Sequence, residues 1–283
     1  MCSGSVTLAD PGNAANPAAA NEPAKGKEEG SFLWFLVKLV IAVLIFRSFI
    51  FSTFSIPSES MLPRLMVGDY LFTAKWPYGY SRASLPFDLP LGDGRVFGST
   101  PERGDVVVFK HPVDRSDYIK RVIGLPGDTI QMVNGVLHID GQPVPKVEVA
   151  DFVEPISPYN TCQRMPRFRA MRDGTPVCAY PQFRETLPNG VSYDVLDFGL
   201  TPQDTTEPVV VPQGMLFLMG DNRDNSQDSR FVASPGGGVG LVPMENLVSR
   251  AEVIAFSTDG TASWINPISW FTAARGARIG DGI

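Results

Sequence analysis

The chain has 283 residues, a formal net charge of −6 and a pI near 5.0. That length holds one or two domains with an ample core, and the acidic balance argues against nucleic acid as the main ligand. Two histidines, His111 and His138, leave little scope for histidine catalysis or a metal centre.

Residues 1–30 are rich in Ala, Pro, Asn, Gly, Lys and Glu and carry almost nothing large and apolar. Such a stretch cannot offset its ordering entropy, so it reads as a disordered tail. Phe32 to Phe51 is different: fifteen of its 20 residues are Leu, Ile, Val or Phe. As a helix it spans about 30 Å, a bilayer core. Each of the fifteen favours insertion by about 0.3–0.6 kcal/mol, whereas Lys38 and Arg47 oppose it by at most about 3 kcal/mol each and can snorkel. A transmembrane helix is therefore predicted over 31–52. Lys25, Lys27 and Lys38 precede or open the span, and the next cation after Arg47 is Arg64. This bias places the N-terminus in the cytoplasm and the rest of the chain outside it.

After the span the pattern is mostly β. Asp105–Phe109 and Tyr118–Ile123 are β-branched runs bounded by Pro, Gly and Asp. Thr129–Ile139 reads as a hairpin about Asn134-Gly135, Pro126-Gly127 fits a type II turn, and Met215–Met219 and Ala251–Phe256 are further strands. Residues 73–101 and 140–212 look loop-like. The fold class expected is mainly β, an antiparallel β-sheet core with extended loops preceded by one N-terminal transmembrane helix. Cys162 and Cys178 fall outside the membrane on this topology. They are either two buried thiols or a disulfide contributing about 3 kcal/mol. No Cys/His spacing suits zinc, and no cofactor is implied. The Asp- and Asn-rich stretch from Asp221 lacks the alternation and the sixth-position Gly of a calcium loop.

Four short segments follow the span in order: Pro57-Ser58-Glu59-Ser60-Met61, Arg103-Gly104-Asp105, Lys120 to Asp128 (KRVIGLPGD) and Gly220 to Arg230 (GDNRDNSQDSR). Together they resemble the signature segments of bacterial type I signal peptidases, membrane-anchored Ser-Lys endopeptidases, over about Phe51 to Arg250. The resemblance implies Ser60 as nucleophile, Lys120 as general base, and an oxyanion hole made by the Ser58 hydroxyl and the Ser60 amide. It implies that Ser226 hydrogen-bonds Lys120, that Asp228 pairs with Arg230 to brace the site, and that Phe54, Ile56, Leu65, Tyr118 and Ile119 line pockets for Ala-sized residues before the cut. Lysine serves as a base only when neutral, and burial supplies this by lowering its pKa. In a strand, Tyr118, Lys120 and Val122 share one face, a suitable place to desolvate an amine. The family usually has a small residue where this chain has Glu59, which is expected to point to solvent.

The resemblance further implies an inserted β subdomain at 131–212 within a core of 53–130 and 213–283. The implied partners are exported preproteins and the lipid bilayer, with no nucleic acid and a single chain as the expected unit. The implied place is the bacterial cytoplasmic membrane, with the catalytic domain periplasmic. Two rival readings share the scaffold: a Ser-Lys peptidase dedicated to pilus or conjugation substrates, and a catalytically inactive membrane-tethered binding protein.

Overall fold

The structure is a computed structural model and describes residues 26–85, 94–162, 166–263 and 265–283. The expected disordered tail lies outside the described residues as far as residue 25. From Gly26 the backbone is already helical, earlier than expected. Helix α1 runs Gly26–Phe49, and Phe32–Phe49 has a mean hydropathy of 2.2 over 18 residues. Its apolar side chains from Phe32 to Ile45 are exposed. Residues up to Val43 form one unit and Leu44–Ile283 a second.

In the second unit the chain leaves the helix sooner than the predicted span. Strand β1 begins at Phe51 (Phe51–Ser55) and pairs antiparallel with β2 (Asp69–Ala74). The last helical carbonyls are capped from the following loop. Lys75 donates to the Ser48 carbonyl at 3.1 Å and to the Ser84 carbonyl at 2.6 Å, and the Tyr80 hydroxyl donates to the Phe49 carbonyl at 2.7 Å. These side chains satisfy groups that a helix end leaves unpaired. Burial holds the Lys75 pKa down, and Arg47 adds to it.

Next come β3 (Val106–Lys110) and β4 (Asp117–Gly124), then the hairpin β5 (Thr129–Val133) and β6 (Val136–Ile139), and the short β7 (Gln142–Pro143). Asn134 and Gly135 both take positive φ at the hairpin turn, and Gly127 (φ +97°) suits the third position of the Pro-Gly turn. The region read as loop after residue 140 is instead rich in strand. It holds β8 (Lys146–Pro155), β9 (Arg169–Arg172), β10 (Thr175–Thr186), β11 (Ser192–Leu196) and β12 (Val209–Val210). Its prolines misled the reading: Pro181 falls where the β10 register slips between Tyr180 and Gln182, a bulge that needs no N–H donor. The disulfide between Cys162 and Cys178 ties this sheet to the preceding loop, with Cα atoms 5.9 Å apart.

The chain ends with β13 (Met215–Met219), β14 (Val242–Pro243), β15 (Leu247–Ser257) and a short helix, α2 (Ser269–Ala273). The principal sheet has the order β1-β2-β15-β3-β4-β13-β14, and two four-stranded sheets, β11-β10-β8 with β9 on β10 and β12-β5-β6-β7, hold the strands from Thr129 to Val210. Buried Val107, Phe109, Val122, Leu216, Leu218 and Leu247 fill one core of the principal sheet; Ile56, Met61, Leu65, Leu71 and Ile254 fill another. Each such side chain contributes about 1.5–3 kcal/mol. Two edges of the principal sheet stay open among the described residues. β1 pairs only with β2, and β13 pairs with β4 only from Arg121 onward, leaving 117–120 unpaired on that side.

Candidate active site

A cleft of about 920 Å³ lies between those open edges, lined by β1 residues, by Asp117–Lys120 of β4, by Ser58–Ser60 and by the loop Asn222–Gln227. Ser60 sits in a single 3-10 turn, Glu59–Met61, with Ser58 at its N-cap. The first N–H groups of such a turn have no partner within it, so the Ser60 amide is unclaimed by its own turn. The turn is tethered from the far end of the sequence. The Asn222 amide donates to the Ser60 carbonyl and the Asn222 side chain to the Glu59 carbonyl, both at 3.1 Å.

Lys120 projects from β4 to the same point. Its Nζ lies 2.7 Å from Ser60 Oγ and donates to the Ile119 carbonyl at 2.9 Å; the Tyr118 ring centroid is 5.7 Å away. Burial brings its pKa down from 10.5 to about 8; Asp228 and Asp221 oppose this and Arg230 assists it. A neutral amine has two N–H bonds and one lone pair. One N–H is used on Ile119, which leaves the lone pair to accept the Ser60 hydroxyl proton. Ser58 Oγ is 3.4 Å from Ser60 Oγ.

Behind the dyad the charges are paired. Arg230 grips Asp228 through Nε and Nη2, each at 2.9 Å, and the Gly220 amide donates to Asp228 at 3.1 Å. Both side chains are fully buried. Burial pushes the Asp228 carboxyl up, but Arg230 outweighs it and holds the pKa below the usual value. Arg121, next to the lysine, forms a bidentate pair with Asp221 at 2.8 and 2.7 Å and donates to the Gly104 carbonyl at 2.8 Å. Arg103 pairs with Asp128 at 2.8 Å, and Tyr78 donates to Asp105 at 2.7 Å. The Arg103-Gly104-Asp105 segment is thus a brace that fixes β4.

Several sequence expectations are corrected. Ser226 lines the cleft and is buried, but its hydroxyl has no hydrogen-bond partner, so the expected bond to Lys120 is not made. The Ile119 carbonyl takes that place. Glu59 does not point freely to solvent: it is half-buried, and the Asn225 side chain donates to its Oε2 at 2.7 Å. Leu65 is fully buried with Ile56 and Met61 and lies under the site, whereas Phe54, Ile56, Tyr118 and Ile119 do line the cleft. His111 is buried and bonded to the Gly238 carbonyl at 3.1 Å; His138 sits on β6. Neither lines the cleft. Gly220 was overlooked by the sequence reading. A Cβ there would collide with Ser226 Oγ and stand 2.5 Å from the Ser60 carbonyl oxygen. The signal available was a glycine directly after a strand, a sign of close backbone approach.

The family described as signal peptidase, peptidase S26, matches residues 30–256. The chain is 37% identical over 273 residues to a signal peptidase I of Rickettsia prowazekii (strain Madrid E), covering 89% of this chain and 92% of that one. It is 38% identical over 240 residues to the signal peptidase I of Rickettsia canadensis (strain McKiel), covering 81% and 80%. A solved signal peptidase I from Enterococcus faecalis V583 aligns at 24% identity and a TM-score of 0.29, covering 54% of this chain and 97% of that one.

Proposed function

The chain belongs to the signal peptidase family, peptidase S26, whose members remove signal peptides from preproteins, and we propose that here Ser60 is the nucleophile and Lys120 its base. The observation that carries this is the 2.7 Å approach of Nζ to Oγ, by an amine that burial brings to a pKa of about 8. Neutral Lys120 takes the Ser60 proton as Oγ attacks the scissile carbonyl carbon. The resulting oxyanion is held by the Ser60 N–H and the Ser58 hydroxyl; donors of this kind contribute about 2.7–4 kcal/mol each. The Lys120 ammonium then gives its proton to the leaving amine, and the mature chain departs. A water, deprotonated by Lys120, attacks the acyl-Ser60 ester; the ester bond breaks, the proton returns to Oγ, and the signal peptide leaves as a carboxylic acid.

The substrate fits the open edges. A strand inserted between β1 and residues 117–120 finds unpaired backbone on both sides, which is β-augmentation. Phe54, Ile56, Tyr118 and Ile119 crowd that channel, so only residues of alanine size fit beside the cut. Ser226 acts as a positioning residue whose unpaired hydroxyl meets the lysine once substrate fills the cleft. Helix α1 anchors the chain in the membrane in a single pass. The N-terminus lies in the cytoplasm and the catalytic unit outside the cytoplasmic membrane. An inactive binding scaffold is disfavoured, because the desolvated Lys120 amine meets a serine hydroxyl at 2.7 Å in the cleft, whereas the structural Lys75 donates to backbone carbonyls. The test is incubation of the detergent-solubilised full chain with a preprotein: cleavage after a small residue is expected, and Ser60→Ala should abolish it. Cleavage by that variant would remove Ser60 from the mechanism.

A further inference from the structure

The cleft has a second limb that the dyad does not use. If residues before the cut lie between β1 and β4, those after it must leave past Ser60 on the side of Glu59 and Leu62. That side is walled by the insert: Tyr180 on β10, Phe198 and Cys162 all line it. The Tyr180 and Phe198 rings stand 5.4 Å apart, and the Cys162–Cys178 disulfide fixes the wall. The carboxylates of Glu59 and Asp224 lie in the same limb. Asn225 holds one Glu59 oxygen. The Phe198 amide holds one Asp224 oxygen, and the other is buried without a partner.

Among the described residues, the cleft lining carries three carboxylates, Glu59, Asp117 and Asp224, and one cation, Lys120. Asp117 is paired with Lys110 at 2.9 Å, at the other end of the lining. The limb beyond Ser60 therefore presents negative charge beside aromatic faces, and among the described residues its lining holds no cation. Aromatic faces and carboxylates both favour a cationic side chain. Among the described residues of this wall, Arg167 is engaged with the Phe198 carbonyl at 2.9 Å and with the Phe168 ring.

We infer that this limb selects preproteins by charge, favouring Lys or Arg at the second residue of the mature chain, with Glu59 as the specificity-determining residue. The inference rests on Ser60 being the nucleophile, which sets the direction of the chain. The first residue after the cut lies against Lys120, which carries the proton as the bond breaks, so a positive charge there is opposed. One residue further on, at about 3.3 Å per extended residue, the chain has passed the lysine.

The experiment uses the full chain in neutral detergent with two preprotein-derived peptides that differ only in Lys or Glu at that second position. At 50 mM salt kcat/KM should favour the Lys peptide by about tenfold, falling to about threefold at 500 mM salt as the field is screened. Glu59→Gln keeps an acceptor for Asn225 and should bring the ratio to within about twofold of unity. A wild-type ratio at or below one, or a ratio unchanged in Glu59→Gln, overturns the inference. Binding of the same uncut peptides to Ser60→Ala, read by fluorescence anisotropy, should show the same order of affinity; equal affinities there also overturn it. Because that arm needs no cleavage, a protein that fails to cut sinks the proteolytic reading and still leaves the charge selection decided.

Discussion

The proposed dyad turns on one number, the pKa of a buried amine. With Lys120 near 8, about a tenth of the molecules carry a neutral base at pH 7. At 10.5 the fraction would be about one in three thousand. The sign follows directly: the neutral form is active, so kcat/KM should rise with pH through an apparent pKa of about 8 and level off above it. Lys120→Arg stays protonated and should be inactive throughout. A profile flat from pH 6 to 10 would contradict this base. Ser226 offers a second test at this scale. Its hydroxyl is buried without a partner, so Ser226→Ala removes no existing bond and should leave the Tm within about 2 °C. If the hydroxyl orients the lysine in the loaded enzyme, kcat should fall about 10- to 1,000-fold with KM little changed. A variant with unchanged kcat would remove Ser226 from the mechanism. That Ser60 and Lys120 would meet was legible because their segments have a recognisable order. The Glu59–Asn225 bond was not, because it joins residues 166 apart and no local pattern encodes it.

At the scale of elements, the β-branched runs declared themselves. Met215–Met219 is a strand with the expected bounds, and the runs at 105–109 and 118–123 fall on β3 and β4 within a residue or so. The insert was harder to read. β8 and β10 alternate weakly and are polar on much of both faces, so their pairing with each other does what a hydrophobic stripe does elsewhere. β1 was hidden for another reason: its aromatic start continues the apolar run of the span without a break in composition. The junction of β13 with the loop after it carries a sharp expectation. Gly220→Ala would drive a methyl group into Ser226 and the Ser60 carbonyl, both part of the cleft wall. Activity should fall by more than about 100-fold, with far less loss of thermal stability, since the strand itself can shift at its end. Wild-type activity in this variant would show that the nucleophile's turn tolerates displacement.

For the whole molecule, the expectation is one crossing of the bilayer. External protease added to spheroplasts should degrade the chain from about residue 60 onward and leave a fragment containing the residues before α1. Protection of the catalytic unit, with an accessible N-terminus, would invert the topology and separate the enzyme from its substrates. The apolar helix was readable from hydropathy alone. The network that fixes the catalytic unit was not: Arg121–Asp221, Arg223–Glu185 and Arg278–Asp69 each join distant segments, and their charges looked like ordinary surface residues in the sequence.

The two open strand edges have a consequence for the order of release. On the strand insertion proposed above, backbone pairing between β1 and the start of β4 would hold everything upstream of the cut, and cutting the bond would remove none of it. The mature chain therefore leaves first, and the spent signal peptide stays behind as an occupant of the channel. A synthetic signal peptide ending at the cut should inhibit competitively, with a Ki close to the KM of the parent preprotein; a non-competitive pattern would place it elsewhere. Steady-state export then depends on a second proteolytic reaction, one that destroys free signal peptides in the membrane and so clears the channel for the next preprotein.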